Sequence, residues 1–136
     1  MQDHEAWLKI AKEDLAVAKL LLKQEFFSPA TYHCQQSAEK ALKAYLVFKK
    51  TPVLKTHDLL QLLELSLKFD RDFQKIYEAS KLLTPYATKF RYPSEFDIPD
   101  FGDAEQAIKH AQKILTFVLR KISEPATGQS DIFESI

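Results

Sequence analysis

Glycine is almost missing from this sequence. Of 136 residues only Gly102 and Gly128 are glycine. Phosphate-cradling loops and dinucleotide fingerprints need several glycines so that backbone can approach phosphate, and both are excluded. Tight hairpins need residues that tolerate positive φ, so an all-β or turn-rich α/β fold is disfavoured. Helix is what remains. The length fits one domain, which buries about 70% of its unfolded surface without help from disulfide or metal. Apolar residues at 46% and charged residues at 28% are ordinary globular composition and agree with that reading.

Apolar spacing places the helices. Leu8, Ala11, Leu15, Ala18 and Leu22 recur at offsets of three and four, predicting a helix from about Asp3 to Gln24. Ser28-Pro29 reads as an N-cap followed by proline at the first helical position. The second helix then carries Ala30, Cys34, Ala38, Ala41, Tyr45 and Phe48 on one stripe and stops near Lys49-Lys50-Thr51-Pro52. The small residues on that stripe imply close helix–helix approach. Thr56 reads as the cap of a short third helix with Leu59, Leu62, Leu63 and Leu67 on its apolar face. Asp70 reads as the cap of a fourth, with Phe73, Ile76, Leu83, Ala87 and Phe90 inward. Pro85 lies inside that pattern and predicts a kink or break at Leu83-Thr84. Asp103 with Gln106 is a capping-box-like pair opening the last helix, whose stripe is Ala104, Ala107, Ile108, Ala111, Leu115, Val118 and Ile122. The expected fold is all-α: an antiparallel, up-and-down bundle of four to five helices over residues 1–123, followed by a tail at 124–136.

Nineteen basic and nineteen acidic residues leave no net charge, so phosphate recognition must rest on a local cluster. One cysteine, Cys34, excludes an internal disulfide framework and a Cys-based zinc site, and its place on the core stripe makes it a small buried apolar residue. No Glu-x-x-His or His-Glu-x-x-His pattern occurs, and no metal or cofactor is implied. His4 and His110 fall on surface or helix flanks. The polar N-terminus is no signal peptide and no apolar run approaches the ~20 residues that span a bilayer, which points to the cytoplasm and no membrane.

Three places carry chemistry. His33, Gln36, Lys40 and Lys43 share one face of the second helix, with Glu39 and Lys43 an i,i+4 pair. They read as a cationic strip lining a groove, or as a solvated face with one ion pair. In His57-Asp58 a carboxylate follows an imidazole, which suits an oriented base or plain helix capping. Arg91-Tyr92-Pro93 opens an aromatic loop reaching Gly102. Arginine offers a planar fork for phosphate and tyrosine a stacking face, while an Arg91 pairing with Glu95 or Asp97 would merely fix the loop. The tail holds an apolar group, Ile132, Phe133 and Ile136, which either remains free or docks in a groove of its own or a neighbouring subunit. Phe26, Phe27, Phe96 and Phe101 look exposed.

The order of these features resembles the HEPN domain, a small all-helical domain. The matching residues are Ala11-x-x-Asp14-Leu15-x-x-Ala18, then His33-x-x-Gln36-x-x-Glu39-Lys40-Ala41-Leu42-Lys43, then Thr56-His57-Asp58-Leu59, Arg91-Tyr92-Pro93, and Ala104-Glu105-x-Ala107 with Ala111. The resemblance covers residues 3 to 122. It implies a helical bundle, often a homodimer, that binds nucleotides or RNA. It also implies a partner, a minimal nucleotidyltransferase, several such pairs being toxin–antitoxin systems. Lys43 and Arg91 would contact phosphate with Lys40 behind them, Tyr92 would stack on a base, and His33, Gln36 and His57 would complete the site. Some family members are metal-independent RNases carrying an Arg followed after four to six residues by a His. Here Arg91 matches the Arg, but the corresponding positions are Phe96, Asp97 and Ile98, so the catalytic residues are unknown and RNase activity would need a rebuilt site. His33 or His57 could stand in across a dimer. A purely structural adaptor, with the strip as its docking face, is the third reading.

Overall fold

In a computed structural model that describes residues 3–89 and 98–124, every regular element is helical. α1 spans His4–Lys23, α2 Phe27–Phe48, α3 Leu59–Leu67, α4 Tyr77–Leu83, α5 Tyr86–Lys89 and α6 Phe101–Ser123, with a 3₁₀ segment at Arg71–Ile76. α1 starts where the pattern places it, because the Asp3 side chain accepts the Ala6 N–H and satisfies one of the orphan donors of the first turn.

Four starts differ from expectation, each for a local reason. α2 opens at Phe27 rather than at a Ser28 cap. Its N-cap is Phe26 without a side-chain hydrogen bond, Ser28 sits in the first turn, and the Ser28 carbonyl accepts Thr31 Oγ1 at 2.8 Å. Asp58, not Thr56, caps α3 by accepting the Leu60 N–H; Thr56 Oγ1 accepts the Asp58 N–H one step earlier. Asp70 does act as a cap, but of the 3₁₀ segment. Its inward residues Phe73 and Ile76 are three apart, which suits a helix that eclipses every third side chain. Asp100 caps α6, and Asp103 is its reciprocal partner, each side chain accepting the other's backbone N–H. At Pro85 the expected break is present: α4 ends at Leu83 and α5 restarts at Tyr86. Phe90 and the stretch 90–97 lie outside the described residues, as does 125–136.

α1 and α2 turn sharply into one another. Asp14 pairs with His33, Ala11 with Ser37, Trp7 with Lys43 and His4 with Phe48, so one helix descends as the other climbs. Both helices end alike. Glu25 (φ 64°) and Lys50 (φ 61°) are left-handed, and in each case the next two N–H groups reach back to the last turn: Glu25 to Leu22 and Phe26 to Leu21, Lys50 to Val47 and Thr51 to Leu46. That is the Schellman arrangement, without its usual glycine.

α2 is the central helix. It packs on α1, α3 and α6, and thirteen of its 22 residues are buried, enough to wrap most of its circumference. Ala30, Ala38 and Ala41 of α2 are fully buried, as are Ala11 and Ala18 of α1 and Ala104 and Ala111 of α6, so the helices approach closely. Ser37 Oγ donates to the Ala11 carbonyl at 2.7 Å, a contact only a small side chain permits. At the other end of the bundle the core becomes aromatic: the Phe73 ring lies tilted against Tyr45 at 4.4 Å and meets Phe117 edge-on at 4.9 Å. Phe27 meets Phe101 edge-on at 6.0 Å at the starts of α2 and α6, so these two helices run parallel, as diagonal helices of an up-and-down bundle do. Phe26 and Phe101 are exposed and Phe27 is half-buried; Phe96 is outside the described residues.

Candidate functional site

The strip on α2 is neither an open cationic groove nor a solvated face. It is a buried polar seam, and its hub is Glu39. The Glu39 side chain is only 2% exposed. Its Oε2 accepts Lys43 Nζ at 2.9 Å, and its Oε1 accepts His57 Nδ1 at 2.9 Å. Gln35 Nε2 and Gln36 Nε2 stand 3.4 Å from Oε1. Burial pushes the Glu39 carboxyl up, but the hydrogen bonds from Lys43 and His57, with their charges, outweigh it and hold it below its ordinary value.

From this hub the bonds run on. Gln35 Nε2 donates to the His57 carbonyl at 2.9 Å, fastening the segment before α3 onto α2. Gln36 Nε2 donates to Gln35 Oε1, and Lys40 Nζ donates to Gln36 Oε1 at 2.9 Å. Lys40 Nζ also stands 3.9 Å from Asp14 of α1, whose other oxygen lies 3.0 Å from His33 Nδ1. A continuous chain of side chains therefore joins α1, α2 and the segment leading into α3. Lys43 Nζ completes it by lying 5.8 Å from the centroid of the Trp7 ring. Trp7 Nε1 is a buried donor without an acceptor among the described residues.

The chemistry follows from what each atom can do. An ionised carboxylate only accepts, so His57 Nδ1 donates to Glu39. The His57 side chain is 60% exposed while its partner is sealed, so Glu39 works as an anchor that orients an imidazole toward solvent. Asp14 does the same for the half-buried His33.

All five expected residues with described positions, His33, Gln36, Lys40, Lys43 and His57, thus belong to one seam. Arg91 and Tyr92 lie outside the described residues. Two assignments change. The carboxylate that holds His57 is Glu39, because Asp58 is occupied as a helix cap. Lys43 is spent on Glu39 and is almost out of contact with water, so Lys40 is the more accessible cation. Sequence reasoning missed Gln35 and the central place of Glu39. Their only signal was the scarcity of charge on α2: from Ala30 to Phe48 only Glu39, Lys40 and Lys43 are charged.

Other groups are quiet. Cys34 is fully buried and burial pushes its thiol up to about 12, so it is no nucleophile. Among the described residues no three His, Cys, Asp or Glu side chains gather where a metal could be held, and no helix is long and apolar enough to cross a membrane.

Comparisons place this geometry among known proteins. The family model of the HEPN domain matches residues 4–122. The crystal structure of TT1696 from Thermus thermophilus superposes with a TM-score of 0.78 at 33% identity, over 89% of this chain and 99% of that one. ST0689, described as an archaeal HEPN homologue, superposes with a TM-score of 0.75 at 27% identity, over 90% of this chain and all of that one. A Methanocaldococcus jannaschii protein named "Putative toxin MJ1304" is 51% identical over 41 residues, which are 30% of this chain and 27% of that relative's length.

Proposed function

Because this chain belongs to the HEPN domain family, we propose that it is a nucleotide- or RNA-binding module that acts with a nucleotidyltransferase partner in a toxin–antitoxin-like pair. The observation that carries this reading is the seam itself. Two imidazoles and a lysine are pre-set by buried or half-buried partners, and preorganised donors bind anionic ligands without the cost of ordering them. In this reading Lys40 and Arg91 take phosphate, Lys43 keeps Glu39 charged and the seam electrostatically poised, Tyr92 stacks on a base, and His33, Gln36 and His57 supply hydrogen bonds. Trp7 Nε1 is a further donor for a ligand oxygen. The toxin name carried by a relative supports the pairing, and a cytoplasmic homodimer is the form in which such a module would work.

Calorimetric titration with mono-, di- and triphosphate nucleotides tests it. Micromolar binding of one nucleotide is expected, lost in Arg91→Ala and weakened about tenfold in Lys40→Ala, the loss of one charge-assisted contact. No heat from any nucleotide, with no gel shift of RNA, would sink the binding reading and leave the seam as a docking face for protein.

The two imidazole–carboxylate pairs favour one alternative, a metal-independent RNase whose site is rebuilt around histidines of α2 and the segment before α3. Losing a general acid–base group slows such a reaction 10²–10⁴-fold, roughly. Cleavage of RNA in EDTA that His57→Ala abolishes would establish it, and intact RNA at high protein excess would remove it.

A further inference from the structure

A second concavity lies between α1, the 3₁₀ segment and α6, and shares no residue with the seam. It encloses about 630 Å³. Ile76, Ile108 and Phe117 form an apolar floor, and Lys19, Lys75, Lys109, Lys113 and Arg120 stand round it with no carboxylate in the lining. Among the described residues none of these five cations has an acidic group within 4.0 Å. Lys19 Nζ donates to neutral Gln112 at 3.0 Å, and the Arg120 guanidinium rests 5.5 Å from the Phe117 ring centroid. The nearby Asp72 is bound by Lys121 instead. Such a cluster on a chain of zero net charge fits an occupant that is both anionic and apolar.

The chain carries one. α6 ends at Ser123, and Glu124, one turn beyond Arg120, already has extended backbone (φ −63°, ψ 140°) ahead of Pro125. Residues 125–136 contain no Lys or Arg, and Asp131-Ile132-Phe133-Glu134-Ser135-Ile136 alternates carboxylates with large apolar side chains. We propose that this segment folds back in cis and occupies the groove. Phe133 and its isoleucine neighbours cover the Ile76–Ile108–Phe117 floor, while Asp131 and Glu134 meet Lys109 and Lys113. The reach is ample: from Arg120 to Ile108 is about 18 Å along a helix, whereas twelve extended residues span about 40 Å. The short tether holds the segment at a local concentration on the order of millimolar, so individually weak contacts suffice.

The test keeps the full chain. Since Cys34 is buried, Ser135→Cys provides the reactive thiol for a nitroxide label, and paramagnetic broadening of amide resonances maps its neighbours. Strong broadening is expected at Lys75, Ile76 and residues 108–120, with residues 35–43 of the seam unaffected. Lys109→Glu with Lys113→Glu should reduce it to the background of the remaining surface. Absent or evenly spread broadening overturns the proposal. Broadening that persists between labelled and unlabelled chains in a mixed sample overturns the cis assignment in favour of a second copy. A short RNA that shifts the groove amides without displacing the label would also overturn it, assigning the groove to nucleic acid.

Discussion

Two lysines lose nearly all contact with water, and they do so for different ends. Lys121 is 9% exposed and stands 2.8 Å from both Asp70 and Asp72 and 3.7 Å from Glu124. Two of its partners, Asp72 and Glu124, are well exposed, and the cluster has a plain structural role, since it clasps the cap of the 3₁₀ segment to the end of α6. Burial works against its charge, but the hydrogen bonds to Asp70 and Asp72 win and raise its pKa. Lys43, at 8%, has one carboxylate partner, which is sealed and only four residues away on the same helix. The pair itself lies within one helix and reaches other elements only through the Glu39–His57 bond and the Lys43–Trp7 contact. A buried ion pair commonly contributes less than well-packed apolar residues of the same volume. The Lys43–Glu39 pair becomes intelligible only through what Glu39 holds, namely His57 and the glutamines.

Of the two clusters, the one around Glu39 is the more sensitive to losing a carboxylate. Glu39→Ala leaves Lys43 buried without a partner and should cost about 3–5 kcal/mol, a drop in Tm on the order of 10 °C or more. A loss below about 1 kcal/mol in urea unfolding would mean that the seam is wetter than described. The double substitution Glu39→Gln with Lys43→Met separates stability from binding. It removes both charges together, so stability should return to within about 1–2 kcal/mol of the parent, while nucleotide or RNA binding is lost. Retained binding would deny the seam its function.

Lys121→Ala should cost about 1 kcal/mol, chiefly through its lost ion pairs with Asp70, Asp72 and Glu124, and molar salt should shrink the difference. The Glu39 effect should resist salt, because its partners are sealed. The smallest effect concerns acid. Glu39 is held below its ordinary value of 4.5, so its contribution is fully present above that pH and is lost as pH falls through the lowered folded value. Unfolding from about pH 6 down to about pH 3 should therefore be less steep in Glu39→Gln than in the parent. An unchanged slope would assign the acid response to the exposed Asp72 beside Lys121.

What the sequence made legible was local. Asp3, the break at Pro85 and the end of α2 depend on neighbours within one turn, and so does the shared face of His33, Gln36, Lys40 and Lys43. Caps slipped by a few residues where two polar groups compete, as Thr56 with Asp58 and Asp103 with Asp100. The hub at Glu39 was hidden, because its burial follows from α2 being enclosed by the other helices, and its bond to His57 crosses eighteen residues of chain. Spacing on one helix shows which side chains are neighbours but not which of them water still reaches.

The left-handed ends of α1 and α2 carry a consequence for engineering. A side chain at positive φ presses its Cβ against the following carbonyl, at a cost of about 1–2 kcal/mol per residue, and glycine avoids that strain. Glu25 and Lys50 are therefore two unclaimed reserves in a chain with almost no glycine. Glu25→Gly and Lys50→Gly should each raise stability by about 0.5–1 kcal/mol, net of the entropy glycine adds to the unfolded chain. Neither touches the seam or the cationic groove, so together they offer a sturdier background in which the damaging substitutions at Glu39 can be made and the protein still studied folded.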